Sequence, residues 1–137
     1  MGQSRTNGVV IRPGPAFINA AGSISNIAVG EFRCVSLIRS LAGSFRSRHY
    51  HATDSHVLYV LEGRMLYWER ELDGEYGDPI DVGPGESILT GPLLVHQTFF
   101  PVNTVLISAS KNPRDSKSHE ADVVRVEEEW QVAVVGA

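Results

Sequence analysis

The sequence has little cysteine and no long apolar run. Its 137 residues include a single cysteine, Cys34, so no internal disulfide can form and a reducing compartment is expected. No stretch approaches the roughly 20 apolar residues that a membrane-spanning helix needs. The first residues also lack the apolar centre of a secretory signal. These absences predict a cytoplasmic protein with no membrane partner.

Basic residues are also scarce. Lys and Arg number 12 against 16 Asp and Glu, which gives a formal net charge of −4. This balance provides no positive surface for nucleic acid, so we expect no nucleic-acid partner. The hydrophobic fraction of 42% is near the globular average and argues against disorder of the whole chain. The length suits one domain.

A sustained helical spacing of apolar residues is missing, and short β-rich runs stand in its place. Turn residues separate these runs, as at Val82-Gly83-Pro84-Gly85. Strands are predicted over residues 32–39, 45–51, 57–61, 65–71, 87–90, 95–100 and 104–109, with a late strand in 122–126 and a polar loop over 111–120. Many short, evenly spaced strands predict an all-β sandwich or barrel. We assign residues 1–30 to an N-terminal arm and first strands, 31–112 to the barrel core, and 113–137 to a C-terminal strand and tail.

Four of the five histidines stand where they can meet at one site. His49 and His51 would point to the same face of the strand over 45–51, with Cα atoms about 6.6 Å apart after two rises of roughly 3.3 Å. Imidazoles at that spacing can converge on one ion through bonds of ~2.1 Å. His56 would begin the neighbouring strand beside them, and His96 would arrive from a distant strand. We predict that all four bind one divalent transition metal, with Fe, Zn, Ni and Mn as candidates.

The spacing of these residues resembles the first signature motif of the cupin superfamily. Gly43, His49, His51, His56 and Gly63 fit the pattern Gly-x5-His-x-His-x4-ligand-x6-Gly without a gap. The resemblance is to single-domain members with the type-2 conserved barrel. It implies an all-β fold in one domain, the double-stranded β-helix that is also called a jelly roll or cupin barrel. In that family the position of His56 is most often glutamate.

The second cupin motif is matched in part. Its usual form is Gly-x5-Pro-x-Gly-x2-His-x3-Asn, and Gly85 and His96 occupy the corresponding positions. The middle departs from the pattern, because Gly91-Pro92-Leu93 stands where Pro-x-Gly is usual, and Phe100 stands where asparagine often lies. Together the two motifs cover residues 43–100.

The resemblance implies a metal-dependent enzyme that acts on a small organic molecule. A dioxygenase-like activity is the first hypothesis, because an all-nitrogen site resembles the three-histidine iron centres of that group. One alternative is a sugar-nucleotide isomerase or epimerase-like barrel, which works with a His/Asp or His/Tyr pair and generally needs no metal. The intact set of His49, His51 and His56 argues against that class. The other alternative is a non-catalytic small-molecule-binding cupin with a structural metal. One scaffold carries many functions, so both alternatives stay open.

The alternation of side chains along the strands gives the remaining candidate site residues. Tyr67 and Glu69 share one face of the strand over 65–71, and we predict them as the catalytic pair because they offer a phenol and a carboxylate for proton transfer. Core or dimer packing is the competing interpretation. His119 stands in a polar stretch and is predicted to be a solvated loop residue. Apolar outer strands, with edge pairing by residues 9–11 or 123–126, predict a homodimer.

Overall fold

Strands make up most of residues 10–131, the part of the chain that the computed structural model describes. The first strands are β1 (Val10–Ile11), β2 (Pro15–Asn19), β3 (Gly22–Ser25), β4 (Cys34–Ser40), β5 (Ser44–His51) and β6 (His56–Glu62). The next are β7 (Met65–Arg70), β8 (Ile80–Val82), β9 (Ser87–Thr90), β10 (Val95–Phe100) and β11 (Thr104–Ser110). A short helix, α1 (Ser116–Asp122), then precedes β12 (Val123–Arg125).

Two five-stranded sheets face each other. The first has the strand order β1-β9-β6-β11-β4 and the second the order β12-β5-β10-β7-β8, while β2 and β3 form a separate hairpin. The pairings within both sheets are antiparallel. Neighbours in each sheet come from distant parts of the chain, as in a jelly roll. The predicted fold class, an all-β double-stranded β-helix, is confirmed.

The core lies between the sheets and follows from the alternation of side chains along the strands. In β6, His56, Leu58 and Val60 are buried while the residues between them are half-buried, because successive side chains of a strand point to opposite faces. The buried apolar cluster is Leu58, Val60, Met65, Tyr67, Val82, Ile88, Phe100 and Leu106. The pocket described below interrupts this core at one end.

The strand predictions agree closely with the structure. The predicted strands 87–90 and 95–100 coincide with β9 and β10, and the late strand predicted in 122–126 is β12. The polar loop predicted over 111–120 is wrong in its second half, where α1 begins. Asp115 caps this helix by accepting a hydrogen bond from the backbone N–H of Ser118 at 3.2 Å. A seven-residue helix is too short to display the apolar periodicity that reveals longer ones.

The two segments expected at sheet edges do lie there. β1 is the outermost strand of the first sheet and β12 the outermost strand of the second. Residue 9 of the expected edge lies outside the described residues. Over residues 10–131, no helix is long and apolar enough to cross a membrane.

Candidate active site

All four predicted histidine ligands line one pocket between the two sheets. The pocket has a volume of about 210 Å³. Its polar wall is formed by Arg46, Ser47, His49, His51, His56, His96, Thr98, Ser108, Arg114 and His119. Its apolar wall is formed by Ile38, Leu58, Met65, Phe100 and Leu106. The site therefore combines a cluster of imidazoles with an apolar wall, and Arg46 and Arg114 belong to its lining.

Three of the histidines are close enough to share one ion. His49, His51 and His96 each offer a ring nitrogen, and these atoms lie within 4.8 Å of one another. Two nitrogens bound at ~2.1 Å to one metal lie at most about 4.2 Å apart, so small side-chain movements would complete the site. His56 stands beside this group, with ring centroids 5.7 Å from His51 and 5.4 Å from His96.

A bulge in β5 aims the first of these histidines. β5 pairs with β10 through His49 and Ser47, opposite His96 and Gln97, which leaves Arg48 as an extra residue. Ser47 and Arg48 both have positive φ angles, 79° and 64°. Left-handed backbone at a residue other than glycine costs roughly 1–3 kcal/mol and is concentrated at functional sites. A bulge bends its strand and re-aims the adjacent side chains, and here it immediately precedes His49.

The buried ring nitrogens fit a metal that prefers nitrogen ligands. His96 donates its Nδ1–H to the carbonyl oxygen of Leu94 at 3.0 Å, so its Nε2 keeps the lone pair that a metal needs. His51 is 2% exposed, and neither of its ring nitrogens makes a hydrogen bond among the described residues, although Nδ1 has the carboxylate of Asp122 at 3.3 Å. A buried polar atom without a partner is uncommon and calls for an explanation. A transition metal held by His49, His51 and His96 would provide one.

Burial keeps the imidazoles neutral. Desolvation is the main cause that lowers the pKa of His49 to about 2 and the pKa of His96 to about 4. Burial and then the positive charge of Arg114 lower the pKa of His51, but the carboxylates of Asp54 and Asp122 oppose that change. Neutral imidazole is the form that binds a metal or accepts a proton. Of these three, His51 is the residue whose surroundings best tolerate protonation.

A carboxylate network docks the segment around α1 against the loop after β5. Asp122 accepts hydrogen bonds from the backbone and side chain of Thr53 at 2.8 and 2.7 Å and from the backbone of Asp54 at 3.1 Å. Its Oδ2 also lies 3.3 Å from Nδ1 of His51. Asp54 in turn accepts from Arg114 Nε at 3.0 Å. The segment therefore brings charged groups to the histidine cluster and fixes them there.

Three residues of this segment were not predicted as part of the site. Arg114 fell in the polar loop predicted over 111–120 and Asp122 at the start of the late strand predicted in 122–126, neither with an assigned role, because nothing local in the sequence shows that this segment folds back over the pocket. The prediction that His119 is a solvated loop residue is wrong. His119 lies on α1, half-buried, with its ring centroid 5.6 Å from that of His51.

Tyr67 and Glu69 lie behind the histidines and are not among the residues that line the pocket. The Tyr67 ring stacks on His96 with a centroid distance of 6.2 Å. Its hydroxyl donates to Glu69 Oε1 at 2.8 Å and lies 2.6 Å from the hydroxyl of Thr90. Both side chains are buried, at 0% and 5% exposure. They can support the position of His96, and a direct role on substrate stays a prediction.

Comparison with known proteins finds likeness in structure. No family profile and no curated protein sequence matches the chain. The 3,4-ketoisomerase QdtA from Thermoanaerobacterium thermosaccharolyticum, in a substituted form complexed with TDP-4-keto-6-deoxyglucose, superposes with a TM-score of 0.68 and 18% identity over 88% of each chain. The dTDP-4-dehydrorhamnose 3,5-epimerase from Sulfolobus tokodaii gives a TM-score of 0.72 and 13% identity over 97% of this chain and 86% of the epimerase.

A third enzyme has the same architecture. The TDP-quinovose 3,4-ketoisomerase WlaRB from Campylobacter jejuni gives a TM-score of 0.71 and 15% identity over 89% of this chain and 95% of that enzyme. Identities this low establish the fold alone. The chain therefore has the cupin-like jelly-roll fold that these sugar ketoisomerases and epimerases share.

Proposed function

We propose that this protein isomerises or epimerises a keto sugar carried on a nucleoside diphosphate. The observation that carries the proposal is the cluster of buried, neutral imidazoles in a pocket whose wall also includes Arg46 and Arg114. The solved enzymes of the same fold act on TDP-linked sugars, which supports this alternative better than a dioxygenase-like activity. The set of His49, His51 and His56, which argues against the isomerase class in the sequence, is compatible with acid–base chemistry because Asp122 lies beside His51.

The chemistry needs one base and no oxidant. A neutral imidazole takes the proton from the carbon next to the carbonyl; the electron pair of the C–H bond forms a carbon–carbon double bond, and the π pair of the carbonyl moves to its oxygen. Return of the proton to the former carbonyl carbon, with transfer of the neighbouring hydroxyl proton to the enolate oxygen, gives the isomer. Delivery of a proton from water to the opposite face of the same carbon, while the imidazolium releases its own to solvent and the carbonyl re-forms, gives the epimer. His51 is the base that the structure supports best, because Asp122 lies 3.3 Å from its Nδ1 and stabilises the imidazolium that forms.

The size of the pocket sets what part of the substrate enters it. A volume of about 210 Å³ lies below the roughly 300–1,000 Å³ of pockets that hold drug-sized ligands. A single sugar ring is the part that enters, while the nucleoside diphosphate stays at the mouth. Arg46 lines the pocket and is exposed; its Nε and Nη2 donate to Ser40 and to the carbonyl of Arg39, which leaves Nη1 for a phosphate oxygen, and guanidinium groups recognise phosphate well.

A bound metal is the second candidate for this site. It is favoured by the ring nitrogens of His49, His51 and His96 within 4.8 Å of one another and by the unpartnered nitrogens of His51. When bound, a divalent transition ion supplies Lewis acidity that polarises a carbonyl. A metal bound to His51 would occupy the lone pair with which that residue takes the proton, so a bound metal and His51 acting as the base are alternatives.

The test is conversion of TDP-4-keto-6-deoxyglucose followed by proton NMR. We expect a new keto sugar of equal mass, and we expect His51→Asn to slow its formation at least a hundredfold. Tyr50→Phe is the matched control, because Tyr50 neighbours His51 in β5 but lies outside the pocket. Absence of a new sugar, together with unchanged C–H signals in D₂O, would contradict the proposal.

We further propose that the protein is a homodimer. The outer face of the first sheet presents a row of apolar residues across three strands, in which Leu37 and Tyr59 flank Ile107. Leu37 is 52% exposed and Val35 is 69% exposed. Apolar patches of this kind on a sheet face are typical of protein interfaces. A second copy presents the same row, so a two-fold pairing of these faces would bury both.

A further inference from the structure

One histidine of the pocket has a neighbour that fixes where its proton sits. The Nη2 of Arg114 lies 3.2 Å from the Nδ1 of His56. Both residues line the pocket, and the His56 side chain is 4% exposed. A guanidinium is always protonated and has no acceptor, so Arg114 donates and the Nδ1 of His56 accepts. A neutral imidazole whose Nδ1 accepts carries its hydrogen on Nε2.

Arg114 is itself held in place. Its Nε donates to Asp54 Oδ2 at 3.0 Å, and Asp54 is 2% exposed. The other oxygen of Asp54 accepts from the backbone N–H of Asn112 at 2.9 Å. The guanidinium is therefore anchored through Nε, and its Nη2 is presented to His56. An anchored donor imposes one tautomer more effectively than a mobile side chain does.

We propose that His56 is a hydrogen-bond donor to the substrate's carbonyl oxygen, through its Nε2–H, and that Arg114 is the positioning residue that sets this tautomer. This inference rests on the proposed function. It separates the four histidines into two roles, because His49, His51 and His96 form the group with converging nitrogens and His56 stands outside it. It also replaces the sequence prediction of His56 as a fourth metal ligand.

The role follows from where charge develops in the reaction. When the base removes the proton next to the carbonyl, negative charge collects on the carbonyl oxygen. A neutral imidazole that donates a hydrogen bond can stabilise that oxygen without giving up its proton, as in enzymes that form enediolates. The proton of His56 stays on Nε2 throughout; in isomerisation the oxygen receives the proton of the neighbouring hydroxyl, and in epimerisation the carbonyl re-forms.

The direct test is the tautomer of His56 in the wild-type protein without substrate. In protein labelled with ¹⁵N-histidine, long-range ¹H–¹⁵N correlation spectra distinguish imidazoles protonated at Nε2 from those protonated at Nδ1. His56→Gln identifies the signals of His56 by their loss. We expect the Nε2–H pattern for His56 at pH 7. The Nδ1–H pattern would overturn the inference, whatever the activity of the enzyme.

Arg114→Met then tests whether Arg114 causes that tautomer. We expect the His56 signals to shift toward the Nδ1–H form, and kcat for the keto sugar to fall at least tenfold with KM within about threefold of wild type. Thr53→Ala is the matched control, since Thr53 docks the same segment through Asp122 and Asn112 without contacting His56. It should leave the His56 pattern as in wild type.

The outcomes separate this inference from the proposed function. An unchanged His56 pattern in Arg114→Met, or the same shift in Thr53→Ala, would assign Arg114 a structural role only and overturn the inference. Conversion of the keto sugar would then still stand on His51. If the sugar is not converted while His56 shows the expected tautomer and the expected response to Arg114→Met, the proposed function fails and the positioning by Arg114 stands.

Discussion

The histidines of the pocket differ in their neighbours, and those neighbours give each one a different capacity. His96 has its Nδ1–H committed to the carbonyl of Leu94, so its Nε2 is a lone-pair donor. His51 faces the Asp122 carboxylate, which favours its protonated form. His56 accepts from Arg114. Identical side chains thus become a ligand, a base and a hydrogen-bond donor through the groups that surround them.

The second candidate, a bound metal, makes its own prediction, because the nitrogens of His49, His51 and His96 converge and those of His56 stand outside that group. We expect His96→Gln and His51→Ala to weaken the binding of Zn²⁺ at least a hundredfold, because each removes one of three converging nitrogens. His56→Gln should change the affinity by no more than about threefold. Titration calorimetry on protein freed of metal by a chelator measures all three. Equal losses at the three positions would show instead that His56 is a ligand.

The neutral state of the buried histidines also predicts a pH dependence of stability. The pKa of His96 falls from 6.5 to about 4 on folding and that of His49 to about 2. Between pH 6.5 and 4 the unfolded chain therefore binds more protons, and stability falls as pH falls. The slope is about 1.4 kcal/mol per pH unit for each such histidine.

Urea unfolding of chelator-treated protein at several pH values measures this slope. His96→Gln should flatten it, because glutamine does not titrate. A free energy of unfolding that is constant from pH 7 to pH 5 would contradict the account.

At the scale of elements, the turn that connects β6 to β7 requires a glycine. Gly63 has a φ of +97°, and a Cβ built on it would lie 2.6 Å from Cα of Thr104. We expect Gly63→Ala to destabilise the fold by about 3 kcal/mol, from left-handed strain and overpacking together. Gly43 has a φ of +84° but open space, so Gly43→Ala should cost only about 1 kcal/mol. Equal losses in thermal unfolding would contradict the steric argument.

The elements that carry the motif could be predicted from the sequence, and the segment that completes the pocket could not. Strand alternation and histidine spacing are local patterns, so β5, β6 and β10 and the meeting of their histidines followed from them. The bulge at Ser47 and Arg48 has no glycine to signal it. The folding of α1 over the pocket depends on Asp54 and Asp122 finding partners more than 50 residues away, and such distant pairings leave no local pattern.

For the whole molecule, the exposed apolar face of the first sheet predicts a change of assembly on substitution. Wild-type protein should elute in light-scattering chromatography at about twice 15.0 kDa. Leu37→Glu should shift it to the monomer, because two carboxylates would be buried against apolar partners. Leu72→Glu is the control, since Leu72 is similarly exposed, at 49% against 52%, but lies beyond β7. A monomeric wild type would contradict the proposed dimer.

The proposed reaction requires that the protein's own imidazoles move a proton of a keto sugar. Proton NMR of TDP-4-keto-6-deoxyglucose in D₂O, with chelator-treated protein whose metal content has been measured, detects that proton transfer. We expect the hydrogens next to the carbonyl to be replaced by deuterium, and His51→Asn to abolish the exchange. Exchange that occurs only after a divalent metal is restored, or no exchange at all, would contradict it.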